Sequence, residues 1–218
     1  MRWAITNWEF ISELLIAHIQ LSWPPILFSF LIALPLGWYA NRSSKVRETL
    51  VIGTGLMYAI PSLALFVVVP QFLGTSILSP WNVIVAMTIY GLALQVRAST
   101  DAFAAIDPDV SDAATAMGYS TWRKLFTVEI PLAFPLVISG LRVVSASTIS
   151  LVSVGALIGV QSLGTLFTNG YQRLFATEIL IGILGTLVLA IVFDLVLVAV
   201  QRIATPWARH RRKEGQYV

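Results

Sequence analysis

Cysteine is absent from the 218 residues, which excludes disulfides, thiolate catalysis and cysteine-ligated metals together. Histidine occurs only as His18 and His210, too far apart in the chain to read as a metal centre. Charge is scarce as well: 11% of the residues are Asp, Glu, Lys or Arg, against roughly 25% in an ordinary soluble domain. With 57% hydrophobic residues, the chain cannot cover its own surface with polar groups, so part of its solvent must be lipid. A soluble enzyme and a disordered tail are both excluded. The net charge of +3 is small, its distribution matters more than its sum, and no nucleic-acid partner is expected.

What the chain does have is long runs without charge. None occurs between Glu13 and Arg42, between Glu48 and Arg97, or from 143 to 172. A bilayer core of ~30 Å needs about 20 apolar helical residues, so the run 49–96 must hold two helices. Its break falls between Pro70 and Pro80, where Gly, Ser and Thr cluster. The pattern predicts an all-α integral membrane protein in one domain, 1–218, with five spans at about 16–40, 49–70, 80–103, 132–158 and 179–203. Residues 8–20 read as an amphipathic segment lying at the interface before the first span. The first apolar run reads as a retained span, since it lacks a strongly basic leader and a small-x-small cleavage site. Trp3, Trp8, Trp23 and Trp81 suit interfacial anchoring. Pro24, Pro25, Pro35 and Pro61 are candidate kinks.

Lys and Arg fall on alternate loops. Arg42, Lys45 and Arg47 follow span one, Arg123 and Lys124 follow span three, and Arg202, Arg209, Arg211, Arg212 and Lys213 fill the tail 204–218. The positive-inside rule makes that side cytoplasmic, with the N terminus outside and the C terminus inside.

The longest internal loop, 107–131, carries the most specific signal. Asp109 or Ser111 can cap a helix with Asp112 in its first turn, and Ala113, Ala114, Ala116 and Met117 continue it. Gly118 suits its end, and Ser120 can cap a second helix, 121–128, running toward Pro131. Small side chains on the first helix let another protein approach its backbone closely.

This loop resembles that of the membrane subunits of type I ABC importers, whose motif is E-A-A-x-x-x-G-x9-I-x-L-P. Asp112, Ala113, Ala114, Gly118, Val128, Ile130 and Pro131 stand at the matching positions, with Asp for Glu, Val for Ile and Ile for Leu. The resemblance implies a multi-pass protein of the bacterial inner membrane whose loop couples to two ATP-binding subunits. A second permease chain, the same or different, and an extracytoplasmic binding protein would complete the assembly. This chain has no G-x-x-x-x-G-K-[ST] loop, so ATP and Mg would be bound by the partner ATPase and no cofactor by this chain.

Over nearly its whole length the chain is similar to the glycine betaine, carnitine and choline permeases. The similarity runs through Ile60-Pro-Ser-Leu-Ala-Leu65, Val128-Glu-Ile-Pro-Leu-Ala133, Ser139-Gly-Leu-Arg142, Ala156-Leu-Ile-Gly159 and Asp194. Where those relatives carry Gly-Ala-Gly-Gly-Leu-Gly, this chain has Gly159-Val-Gln-Ser-Leu-Gly164, a stiffer turn. Methionine permeases share the size and five-span layout and form the alternative.

Two charges fall inside spans. Arg142 is eleven residues past Pro131 and Asp194 eight before Arg202, depths of roughly 16 and 12 Å at 1.5 Å per residue. Charges at such depth face a bundle interior or watery cavity and are often paired, so an Arg142–Asp194 pair is expected, separate satisfaction by backbone and water being the alternative. Gly155 and Gly159 form a G-x-x-x-G in an apolar helix that permits close helix approach, at a permease dimer interface or merely within the chain. Tyr58, Phe66 and Tyr90 are candidates either for the substrate path or for packing. An intramembrane serine hydrolase would need a base beside the serines of Ser145-Ala-Ser-Thr-Ile-Ser150, and neither His18 at the outer edge nor His210 in the tail offers one. Asp107 and Asp109 read as turn and cap rather than metal ligands.

Overall fold

The computed structural model describes residues 2–206. Among them are ten α-helices: α1 Arg2–Thr6, α2 Trp8–Ala40, α3 Ser44–Tyr58, α4 Ser62–Leu73, α5 Pro80–Ala104, α6 Pro108–Ala116, α7 Thr121–Lys124, α8 Ile130–Val152, α9 Gly164–Gln172 and α10 Ala176–Ala204. The expected all-helical architecture is the observed one. Among the described residues four helical stretches are long and apolar enough to cross a membrane, and the bent pair α3–α4 adds a fifth if counted as one broken span. Residues of the basic tail beyond 206, His210 included, lie outside the described residues.

The first correction concerns residues 8–20. They do not form a separate interfacial segment but the first half of α2, one continuous helix of 33 residues. Between Asn7 and Pro24 nothing breaks the helix, and Ile11, Leu14, His18 and Leu21, at helical spacing, are buried. The amphipathic face therefore packs on the rest of the chain instead of lying on a bilayer surface. Pro24, Pro25 and Pro35 all sit inside the helix without ending it.

The second correction is the span expected at 49–70. It breaks into α3 and α4, whose axes differ by 101°. Pro61 has no amide hydrogen and disfavours helical geometry at Ile60; its own backbone is extended, with ψ 130°. The Tyr90 hydroxyl donates to the Ile60 carbonyl released at this break, and Tyr58 meets the Tyr90 ring edge-on with centroids 5.5 Å apart. Phe66 is fully buried in the cluster around Val83, Met87 and Val152, so its role here is packing.

Span four is longer than expected. Helix α7, a π-helical turn at Leu125–Glu129, α8 and a 3₁₀ turn at Ser153–Ile158 run on from 121 to 158. Pro131 cannot donate to the turn before it, and the π turn re-spaces the hydrogen-bond ladder at that place. Gly155 and Gly159 are the third correction. Gly155 lies in the 3₁₀ turn and Gly159, at φ +87°, ends it. They share no α-helical face, and positions for a Cβ on each would meet Val83 and Leu78 of this same chain.

Helix α5 is the hub, in contact with α2, α8, α3 and α4. Its turn at Ala98–Thr100 is gripped from two sides by glycines. A Cβ on Gly37 of α2 would lie 2.5 Å from the Ser99 Cβ and 2.7 Å from its backbone carbon, and one on Gly140 of α8 would lie 2.3 Å from the Ala98 Cβ. Such contact lets dispersion forces act between backbones where lipid offers no hydrophobic contrast. Gln95 of α5 adds a buried hydrogen bond to the Val137 carbonyl at 3.0 Å. Helix α10 is different: its apolar side chains, among them Leu184, Leu187, Val188, Ile191 and Leu195, are mostly exposed, as suits a face covered by lipid.

Gly37→Ala should therefore cost about 1–3 kcal/mol through overpacking, because the obstructing atoms are backbone. Gly53→Ala, with nothing within 4 Å, should be neutral or slightly stabilising through helix propensity. Thermal unfolding of the two variants in one detergent checks both.

Candidate functional site

The loop between α5 and α8 is built from local signals. Asp107 caps α6, its carboxylate accepting from the Asp109 amide at 3.0 Å. The expected cap was Asp109 or Ser111; Pro108 takes the first helical position instead, where its missing amide hydrogen and fixed φ do no harm. At the other end the Tyr119 amide donates to the Ala114 carbonyl and the Gly118 amide to the Thr115 carbonyl, 3.1 and 3.0 Å. These are the paired bonds of a Schellman ending, which requires a left-handed residue, and Gly118 supplies it at φ +82°. Nothing lies within 4 Å of a Cβ there, so the glycine is needed for conformation and not for space. Ser120 caps α7, accepting from the Arg123 amide at 3.3 Å.

The result is a nine-residue helix closed at both ends and mostly bare. Asp112, Ala113, Ala116 and Gly118 are exposed, as is Met117 at 68%, while Ala114 is buried. Val128, Ile130 and Pro131 are half-buried; Ile130 packs with Phe103, Leu125 and Ala133 at the base of the bundle. The motif residues thus divide into an exposed helix and the foot of a membrane helix.

Glu129, which sequence reasoning passed over, joins these two parts. Its carboxylate accepts from the indole of Trp38, at the end of α2, at 2.8 Å. The Lys124 ammonium lies 3.7 Å from its other oxygen, and the Ser111 hydroxyl 3.5 Å. Lys124 in turn donates to Ser111 at 2.9 Å and Thr115 at 3.3 Å, both on α6. One carboxylate, only 14% exposed, thereby ties α6, the π turn leading into α8, and α2. Charge-assisted bonds in such partly buried surroundings are stronger than neutral ones. Beside the network is a cavity of about 450 Å³ lined by Asn41, Arg42, Ser111, Lys124 and Glu129 among others. The sequence signal for Glu129 was its place between two motif positions; its partner Trp38 lies 91 residues away.

Arg142 and Asp194 meet between α8 and α10. Two parallel bonds, 2.5 and 2.8 Å, join the guanidinium and the carboxylate, the geometry that suits arginine best. Gln201 adds a bond from α10 to the Pro135 carbonyl at 3.1 Å. A charge at mid-helix costs about 2.5–3.5 kcal/mol to place in a membrane, and each partner offsets that cost for the other.

His18 sits beside the last turn of α8 and the turn that follows it, the end where the sequence put it. It is fully buried, with Nε2 3.0 Å from the Ile149 carbonyl and Nδ1 3.3 Å from the Leu163 amide. With the proton assigned to Nε2, both ring nitrogens are satisfied by backbone and the ring clamps α2 to α8, so it is no general base for the serines near it. Glu178, also missed, is buried at the start of α10 with the Arg173 guanidinium 3.9 Å away.

A membrane bundle that carries a capped, bare helix on an internal loop defines a permease subunit of the binding-protein-dependent class. The chain belongs to the family described as "binding-protein-dependent transport system inner membrane component", whose profile matches residues 21–210. It is 26% identical to the carnitine transport permease protein OpuCD of Listeria monocytogenes, over 95% of this chain and 92% of that one. It is 28% identical to the osmoprotectant import permease protein OsmW of Salmonella typhimurium, over 94% and 97%. A glycine betaine/carnitine/choline permease of Bacillus subtilis is 25% identical over 97% of this chain and 90% of its own length. Among solved structures the chain matches an inward-facing MetNI methionine ABC transporter with a TM-score of 0.82 and 18% identity, covering 92% of this chain and 98% of that one. An amino acid ABC transporter solved with histidines matches with a TM-score of 0.74 and 16% identity, covering 91% and 95%. The chain is a transport subunit and a multi-pass membrane protein.

Two variants probe the site. Glu129→Ala removes bonds to a charged group worth about 1.5–3 kcal/mol each, so amide exchange across α6 should quicken roughly tenfold or more while α5 keeps its protection. Asp194→Asn should lower the yield of inserted protein, and the swapped pair Arg142→Asp with Asp194→Arg should restore it. Equal loss in the single and double variants would mean that the two side chains do not act as a pair.

Proposed function

We propose that this chain is one membrane half of an ATP-driven importer for small osmoprotectants of the glycine betaine, choline and carnitine class. In that reading α6 seats in a groove of a separate ATP-hydrolysing subunit, and two such subunits serve two permease chains, identical or not. A binding protein delivers the solute on the opposite side. ATP and Mg belong to the partner, and no cofactor belongs to this chain. The observation that carries the reading is the α6 helix: its outer surface is small and bare, while its inner side is tied through Ser111, Thr115, Lys124 and Glu129 to α2 and α8. A push on α6 has a short polar route to two membrane helices.

The Lys and Arg of the 42–47 and 123–124 segments support a cytoplasmic position for α6, and so an outside N terminus and an inside C terminus. The solute class rests on the relatives, which import carnitine, osmoprotectants, or glycine betaine, carnitine and choline by their names. The methionine and amino acid transporters share the fold, and fold alone does not choose a solute.

Uptake decides. In cells lacking their own osmolyte importers, the chain with its ATPase and binding protein should take up labelled glycine betaine after salt shock and ignore methionine. Gly118→Val forces a β-branched residue into left-handed geometry, at a cost of about 1–2 kcal/mol, and should abolish uptake while the protein still inserts. Methionine uptake alone would replace the solute and keep the architecture. Unimpaired uptake by the valine variant would overturn the role given to α6.

A further inference from the structure

A second cavity lies at the same end of the bundle. It encloses about 460 Å³ between the end of α2 and the α7–α8 stretch, and only apolar atoms line it, from Leu34, Pro35, Tyr39, Trp122, Phe126 and Ile130 among others. Its rim is aromatic and uncovered: Trp122 is 63% and Phe126 64% exposed. The rings of Trp38, Trp122 and Phe126 form a row, with centroids 5.8 and 6.4 Å apart. Trp38 and Phe103 line both this cleft and the polar cavity beside Glu129, so the two spaces share a wall.

The charges across that wall are unequal. Lys124 and Glu129 face each other and leave Arg42 over. Its guanidinium stands 4.2 Å above the centre of the Trp38 ring, and among the described residues no carboxylate forms an ion pair with it. Arg47 nearby in sequence is engaged by Asp101 at 3.0 Å, whereas Lys45 adds further positive charge to the same segment. A cation stacked on the tryptophan that walls an apolar slot has the two chemistries of one kind of molecule.

We propose that this pair of cavities is a site for a phospholipid with an anionic head group, the head held at Arg42 and one acyl chain laid along Leu34, Pro35, Tyr39, Trp122, Phe126 and Ile130. The occupant follows from continuity and charge. The slot is walled by Leu34, Pro35 and Tyr39 of α2 and Ile130 of α8, which belong to stretches long and apolar enough to cross a membrane, and this sets acyl chains beside it. Tryptophan rings settle at head-group level, which puts the guanidinium among phosphates. Basic pockets between membrane helices bind anionic head groups on this principle, and the slot's volume falls within the roughly 300–1,000 Å³ range of small-ligand sites. A lipid seated there would touch α2 and the segment that carries Lys124 and Glu129, the two sides of the polar network.

The test uses the delipidated full-length protein in detergent, titrated with phosphatidylglycerol or phosphatidylcholine brominated on the acyl chains. Quenching specific to the cleft is the part of the tryptophan signal lost in Trp122→Phe. Phosphatidylglycerol should quench it at a several-fold lower lipid fraction than phosphatidylcholine. Arg42→Gln should bring the two lipids together, and Arg42→Lys should keep most of the difference. In the unaltered protein, about 1 M salt, where the screening length is near 3 Å, should also remove it. Equal quenching by both lipids in the unaltered protein, or a preference untouched by Arg42→Gln, would overturn the site. So would the absence of Trp122 quenching by either lipid, which would assign the cleft to a protein surface.

Discussion

The structure turns on one carboxylate at the foot of the bundle. Glu129 accepts a hydrogen bond from the Trp38 indole of α2, faces Lys124, and through Ser111 reaches α6. A charged group so nearly buried costs free energy unless its oxygens are occupied, and here each oxygen has a partner on a different element. That constraint fixes where α6 stands relative to the membrane helices. Without it, a nine-residue helix on a loop would be too short to hold its own shape or place in water.

Several polar groups of the membrane region meet the same requirement in a different solvent, although the buried Glu178 carboxylate accepts no hydrogen bond among the described residues. Arg142 satisfies Asp194, His18 satisfies one carbonyl and one amide, Gln95 satisfies the Val137 carbonyl, and Tyr90 answers the carbonyl that Pro61 sets free. Around these bonds α5 is clasped through glycines at Gly37 and Gly140. Rigid contact near the Ala98–Thr100 turn lies close to the Asn41 amide, which bonds the Thr100 carbonyl at 3.0 Å. Displacement at the α6 end therefore meets a stiff bundle, which favours movement of whole helices over local give.

Much of the fold was legible because lipid imposes a simple grammar. Uncharged runs located the membrane helices, Pro80 opens one of them, and Gly118 and Ser120 bound the loop helices as their chemistry demands. The amphipathic stretch at 8–20 was misjudged because its stripe of Ile11, Leu14, His18 and Leu21 suits a protein partner as well as a bilayer surface. The break at Pro61 was visible only as a possible kink, since sequence does not state an angle of 101°. Gly155 and Gly159 matched a helix-packing pattern, but a 3₁₀ turn destroys the four-residue register on which that pattern depends. Arg142 and Asp194 were paired on depth alone, and depth is what straight helices preserve. Glu129 stayed hidden because its meaning lies in Trp38, on an element that only the folded chain brings near.

The account stands or falls on whether that carboxylate transmits force. Reconstituted in lipid vesicles with the ATPase and binding protein that the proposed function requires, the chain can be scored for solute moved per ATP hydrolysed, with Glu129→Gln beside the unaltered chain. The isosteric amide keeps the shape and removes the charge that Lys124 and Trp38 address. The account predicts that the ATPase still binds and still hydrolyses ATP, while solute moved per ATP falls by about tenfold, the factor that 1.4 kcal/mol of lost coupling implies. An unchanged ratio, with hydrolysis still responding to the binding protein, would contradict it and place the link between α6 and the membrane helices elsewhere.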